Sequence, residues 1–131
     1  MAQALLFNIS GEKKKKLRVQ LVKQGIAPRD VLAVDQGRPL NVLLHPESFS
    51  GEEPEAAEPF DDEMLVLDGL SPQQLRGLLD GLRQAKASVA LKAVVTEENI
   101  RWTPVRLHRE LQAEHEAMTG GGKSIHGAGR R

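Results

Sequence analysis

The sequence predicts an α+β domain made of two strand–helix–strand units followed by one further helix. Three observations predict it. Short apolar runs stand at 4–7, 31–34, 64–67 and 89–95. Helix-start signals and apolar stripes lie between them. The pieces also recur at a common spacing of 60 residues. ALLFN (4–8) falls on MLVLD (64–68), LVKQG (21–25) on GLRQA (81–85), and VLAV (31–34) on LKAV (91–94). A shared offset across three weak matches is the mark of an internal repeat.

The second unit carries the stronger helix signal. Ser71 precedes Pro72, and Gln74 follows three residues after the serine, the pattern of a capping box. Pro72 falls at the first helical position, where its missing N–H costs nothing. Leu75, Leu78, Leu79 and Leu82 then form one stripe, with Leu70 placed to staple onto Leu75. In the first unit Ser10 is the cap candidate, and Leu17, Leu21 and Val22 supply the stripe. Lys13 stands where the capping-box acid or amide belongs. Gly25 or Pro28 ends that helix. A third helix is expected over 103–118, with Thr103 as cap, Pro104 first, Trp102 stapled to Leu107, and Leu107, Leu111 and Met118 buried.

Two such units in succession imply a ferredoxin-like, four-stranded antiparallel sheet with two helices on one face. A doubly wound α/β sheet is the alternative. The continuously apolar runs 31–34 and 64–67, and the run 89–95 broken only by Lys92, read as strands buried on both faces. The second face then needs a cover: the third helix, the 36–63 connection, or a second copy of the chain. The run RPLNVLLH (38–45) alternates like a short edge strand or docking arm. One domain over 1–118 results, with repeat units 4–35 and 64–96, an acidic flexible connection at about 46–63, and a disordered tail over 119–131.

Charge is balanced overall and uneven along the chain. Residues 1–46 hold eight Lys or Arg and three acids, 47–70 hold nine acids and no base, and 71–131 hold ten bases and six acids. A mildly basic body with an acidic insert argues against a dedicated nucleic-acid binder. The chain has no cysteine, which excludes thiolate metal sites and thiol nucleophiles. The N-terminal stretch lacks a signal-peptide pattern, and no apolar run reaches membrane-spanning length. The expectation is a cytoplasmic protein with no membrane role.

From MLVLDGLSPQQL to the helix end at EHEAM, residues 64–118 resemble a family of small bacterial proteins carrying a domain of unknown function. The likeness rests on Leu75 to Leu82 with Arg83, the Leu91-Lys92-Ala93-Val94 strand with Thr96, Asn99-x-x-Trp102, and Glu114-His115-Glu116. It implies a bacterial cytoplasmic setting and no mechanism.

Candidate sites are few. GGGKS (120–124) imitates a phosphate loop. Ala117 stands where its first glycine belongs, a helix precedes it, and no helix follows. It reads as a helix stop. Lys13, Lys14, Lys15 and Lys16, with Arg18, open the first helix as a basic patch for phosphates or an acidic partner. Attraction to the acidic segment 52–63 of the same chain is the other explanation. His108 and His115 are seven apart, wider than the i, i+4 spacing of helical zinc pairs. No metal, cofactor or catalytic set is expected. Trp102 with Asn99, Arg101 and Arg106 forms the best candidate partner-binding corner.

The leading functional expectation is a non-enzymatic binding or regulatory module for a protein partner or its own copy. An RNA-binding module using Lys13 to Lys16 and the basic tail is a second reading. It lacks the strand aromatics that stack bases, Phe7 excepted. An enzyme with no recognisable motif is a third.

Overall fold

The sheet is mixed, with strand order β2–β1–β3–β4. The computed structural model describes residues 2–48 and 58–120. Among these, β1 (Gln3–Phe7), α1 (Gly11–Lys23) and β2 (Ala27–Val31) form the first unit. A short helix α2 (Leu40–Leu44) follows. Then β3 (Met64–Asp68), α3 (Pro72–Gln84) and β4 (Leu91–Val94) form the second, and α4 (Pro104–Gly120) closes the chain. The GGGKS motif beyond Gly120, the basic tail and residues 49–57 lie outside the described residues.

Within each unit the helix carries the chain back across the sheet. The second strand therefore lies beside the first and parallel to it, as a helical crossover requires. β1 pairs with β2 in parallel, and β3 with β4 likewise. The units meet through β1 and β3, which are antiparallel, with Leu5 opposite Val66. The expected wholly antiparallel, ferredoxin-like sheet is thus corrected. No strand is interleaved between the two members of a unit.

The sequence spacing of 60 is corrected: matching positions in the two units stand 61 residues apart up to the helix starts. Asn8 and Gly69 both have positive φ, at 63° and 77°. Ser10 and Ser71 precede helices that start at 11 and 72 and have 13 residues each. The separation grows to 64 at the second strands, which start at 27 and 91. The link from α3 to β4 is three residues longer than the link from α1 to β2.

Helices cover both faces. On one face α1 and α3 bury Leu17, Leu21, Leu78 and Leu82 against Leu6, Leu65 and Leu67. On the other, α2 and α4 bury Leu40, Leu43, Leu44 and Leu107, with Phe60, against Leu5, Phe7, Met64 and Val66. Among the described residues, the cover sought for the second face is supplied by α2, α4 and the stretch around Phe60 of the same chain. A second copy is not needed for that purpose.

Three strand expectations change. The run 89–95 is strand only over Leu91–Val94 and is not buried on both faces, since Lys92 and Val94 are exposed. The run 31–34 does not continue as a strand. The ladder ends where Phe7 pairs with Val31, the chain turns through a 3-10 helix at Ala33–Asp35, and Leu32 and Val34 are 66% and 68% exposed. The run 38–45 is the helix α2 rather than an arm. Its buried residues Leu40, Leu43 and Leu44 have i, i+3, i+4 spacing, and Pro39 starts it. The Leu40 N–H donates to the Trp102 carbonyl at 2.9 Å, which ties α2 to the entry of α4.

The helix starts differ as their sequences do. The Gln74 N–H donates to Ser71 Oγ at 3.1 Å, and the Ser71 N–H donates to Gln74 Oε1 at 2.9 Å, completing the capping box. The other end of the Gln74 amide, Nε2, donates to the Gln24 carbonyl past the end of α1 at 2.8 Å. One side chain thus joins the start of α3 to the end of α1. Ser10 makes no side-chain cap bond. Ser71→Ala is therefore expected to cost about 1 kcal/mol, the usual value of a working cap. Ser10→Ala should change stability by only a few tenths of that, roughly 0.3 kcal/mol at most. Urea unfolding of the two variants checks the contrast.

Candidate functional site

The end of β4 is organised by Asn99. The Val95 N–H donates to the Leu67 carbonyl at 2.8 Å, so the backbone groups of Val95 face β3. By the alternation of a ladder, those of Lys92, Val94 and Thr96 face outward. Asn99 takes two of them. Its Nδ2 donates to the Val94 carbonyl at 3.1 Å, and its Oδ1 accepts the Thr96 N–H at 2.8 Å. These are the two groups that one residue of an adjoining strand would bond. The carboxamide therefore imitates a single residue of a fifth strand. The Asn99 N–H donates in return to Thr96 Oγ1 at 3.1 Å, which fixes the 3-10 turn Asn99–Arg101.

Trp102 follows that turn. It is half-buried against the α2–α4 core, and the Arg106 guanidinium stacks over its ring at 4.2 Å. Thr103 Oγ1 accepts the Arg106 N–H at 3.2 Å, the cap expected for α4. Asn99, Trp102 and Arg106 thus lie together, and each has a structural task. Arg101 is exposed beside them.

The stretch 58–63, expected as part of a flexible connection, is anchored. Phe60 is buried, its ring stacks on His108 at 4.3 Å, and it touches Phe7 at 5.8 Å between centroids. The Phe60 N–H donates to Oε1 of the buried Gln36 at 3.0 Å. Gln36 Nε2 finds no partner among the described residues. Asn8 Nδ2 donates to the carbonyls of Phe60 and Asp62 at 2.8 and 2.9 Å. Asp62 lies 2.9 Å from His108 Nε2. Sequence reasoning missed Phe60, Gln36 and Asn8. The available signal was one large aromatic inside an acidic, proline-containing run.

The basic helix sets much of its charge against carboxylates of the same chain. Lys13 pairs with Glu63 at 2.5 Å, Lys14 and Arg18 reach Asp30 at 3.2 and 3.6 Å, and Lys15 pairs with Glu12 at 3.4 Å. The attraction expected between this helix and the acidic segment is realised at Lys13 and Glu63. Such partly exposed pairs are each worth little in stability. Lys16 has no ion-pair partner among the described residues. Lys13, Asp61, Asp62, Glu63, Ser88 and His115 border an open cleft of about 490 Å³. No group of three or more metal-ligating side chains comes together among the described residues. His108 faces Asp62 and Phe60, not His115.

The Lys92 ammonium is turned back onto its own chain and donates to the Val89 carbonyl at 2.5 Å. Burial there lowers its pKa below the ordinary lysine value.

Among known proteins, residues 63–118 match the family model described as Domain of unknown function (DUF3783). The match coincides with the segment singled out in the sequence. It takes in β3, α3, β4, the Asn99 turn and most of α4, and leaves out β1, α1, β2 and α2. Searches of curated proteins and of solved structures return no match. No helix among the described residues is long and apolar enough to cross a membrane.

Phe60→Ala is expected to cost about 3 kcal/mol, as for other large aromatic truncations in a core. A flexible linker would make the change neutral, and thermal unfolding separates the two. For Lys92 the sign follows from linkage. The folded state holds the proton less tightly than the unfolded state, so stability rises with pH between the lowered pKa and the ordinary value. Lys92→Met should abolish that alkaline rise in a series of denaturation curves.

Proposed function

We propose that the chain is a non-enzymatic binding module that engages a protein partner, or a second copy of itself, through the β4 edge. The contrast between the two edges of the sheet carries this reading. β2 is an obstructed edge. Pro28 lacks an N–H, Arg29 donates to the Leu43 carbonyl at 2.7 Å, and Asp30 is held by Lys14 and Arg18. Proline and charge are the usual protections of an edge strand. β4 has a charge in Lys92, but that charge is folded back onto Val89. Val94 is 49% exposed. The seal made by Asn99 stops at Val94, so the Lys92 carbonyl and the Val94 N–H stay available to an added strand. Extended segments bind such edges by main-chain hydrogen bonds.

The shared plan of the two units supports a duplicated origin. In that account the β2 edge and the β4 edge have taken different roles. The RNA-binding reading draws on the same basic helix, whose Lys13, Lys14, Lys15 and Arg18 are already paired with carboxylates of this chain.

The test is site-specific photo-crosslinking in the cells that express the protein. A crosslinker at Lys92 should give a discrete protein adduct or a dimer, and Val94→Pro should suppress it. A crosslinker at the exposed Val22 of α1 serves as the control. Equal adducts from both positions, unaffected by the proline, would reject the edge as the binding surface. Asn99→Ala should lengthen the open edge and increase self-association, read by sedimentation velocity against the wild type.

A further inference from the structure

Beside the β4 edge, between that strand and α3, runs a groove of about 200 Å³ lined by Leu79, Leu82, Arg83, Ser88, Val89 and Lys92. Leu91 and Ala93 point to the opposite face, into the α2–α4 core. Lys92 and Val94 therefore share the face of the groove. Its lining has apolar walls, a hydroxyl, two cations and no carboxylate. Arg83 reaches Asp80 at 3.2 Å in an exposed i, i+3 pair. Lys92 has no carboxylate partner among the described residues. Its ammonium is partly buried with a single carbonyl for company, and that surrounding disfavours its charge. A cation placed in that way gains from an incoming anion more than a solvated lysine does.

We propose that this groove receives an extended segment of a partner protein with the pattern acidic–x–apolar, added to β4 as a fifth strand. The carboxylate side chain stands opposite Lys92, with Arg83 and the Ser88 hydroxyl near it. The apolar side chain, two residues away and so on the same face, packs beside Val94 against Leu79 and Leu82. The inference rests on the edge reading and adds the chemistry of the occupant. Charge complementarity selects the acid. The Asn99 seal leaves room for few main-chain bonds, so the two side chains supply the selectivity.

The test uses the full chain labelled with ¹⁵N and two blocked pentapeptides, acetyl-Thr-Glu-Thr-Val-Thr-amide and acetyl-Thr-Lys-Thr-Val-Thr-amide. The glutamate peptide should shift the amides of Val89, Lys92 and Val94, and bind about tenfold more tightly than the lysine peptide, the scale of one charge-assisted hydrogen bond. Lys92→Glu should reverse that order, with Lys92→Gln intermediate. Well-dispersed spectra of both variants show that they remain folded. Equal binding of the two peptides at β4, unchanged by Lys92→Glu, would overturn the acidic specificity and leave the edge reading standing. Shifts confined to Lys13, Lys14, Lys15 and Lys16 would overturn the groove in favour of a general basic patch. No shift of β4 amides with either peptide would overturn both readings.

Discussion

The antiparallel contact between β1 and β3 is the constraint on which the rest depends. It joins two parallel strand pairs into one sheet, with Leu5 against Val66 at its centre. Leu5, Leu6, Leu65 and Val66 are all fully buried or nearly so. Strands buried on both faces need two covering layers, and one chain has to supply both. The crossover helices α1 and α3 supply the first. The second is assembled from a five-residue helix, the stretch around Phe60, and α4. That layer is made of less regular parts, and several side-chain to main-chain bonds lie there: Asn8 to Phe60 and Asp62, Gln36 to Phe60, Arg29 to Leu43. Burial drives the layer together, and these bonds fix where its irregular backbone sits.

The second unit was legible because its signals agreed. Ser71, Pro72 and Gln74 named the start of α3, four leucines gave its face, and the continuous run of β3 gave its burial. The α4 start was equally plain from Thr103 and Pro104. The first unit was harder to read at its ends. VLAV looked like a strand, but a strand extends only as far as its neighbour, and β1 stops at Phe7. RPLNVLLH satisfied alternation and helical spacing together, and a window of five residues cannot separate the two periods. Sheet topology was not legible at all. Parallel and antiparallel neighbours demand the same apolar run, and the choice lies in how far the helix carries the chain.

The candidate site was legible in outline. Asn99, Trp102, Arg101 and Arg106 were picked out as a corner, though what Asn99 does there depends on the direction its carboxamide faces along β4. Nothing in a sequence gives that direction. For Lys13 to Lys16 the sequence offered two readings, a patch for an outside anion or attraction to the acidic segment, and could not choose because Asp30 and Glu63, the partners of Lys14 and Lys13, are distant in the chain. Phe60 was overshadowed by its acidic neighbours, although a lone aromatic in such a run has few places to go other than a core. Lys92 was read only as an interruption of an apolar strand. Its retracted ammonium is a property of the fold.

The unequal links after α1 and α3 have a consequence for how this architecture can change. Three residues, 24–26, are enough to bring the chain from α1 to β2. Six residues, 85–90, lie between α3 and β4, and Ser88 and Val89 within them form one wall of the groove. The extra length sits outside both the sheet ladder and the helix; Ala87 and Val89 within it are buried in the core, while Lys86, Ser88 and Ala90 are exposed, so those three positions can change without disturbing the register of β3 and β4. Its counterpart after α1 has no such slack. If the β4 edge is the binding surface proposed above, variation in its occupant is confined to one half of a two-part scaffold, while the other half is held to its present length by geometry.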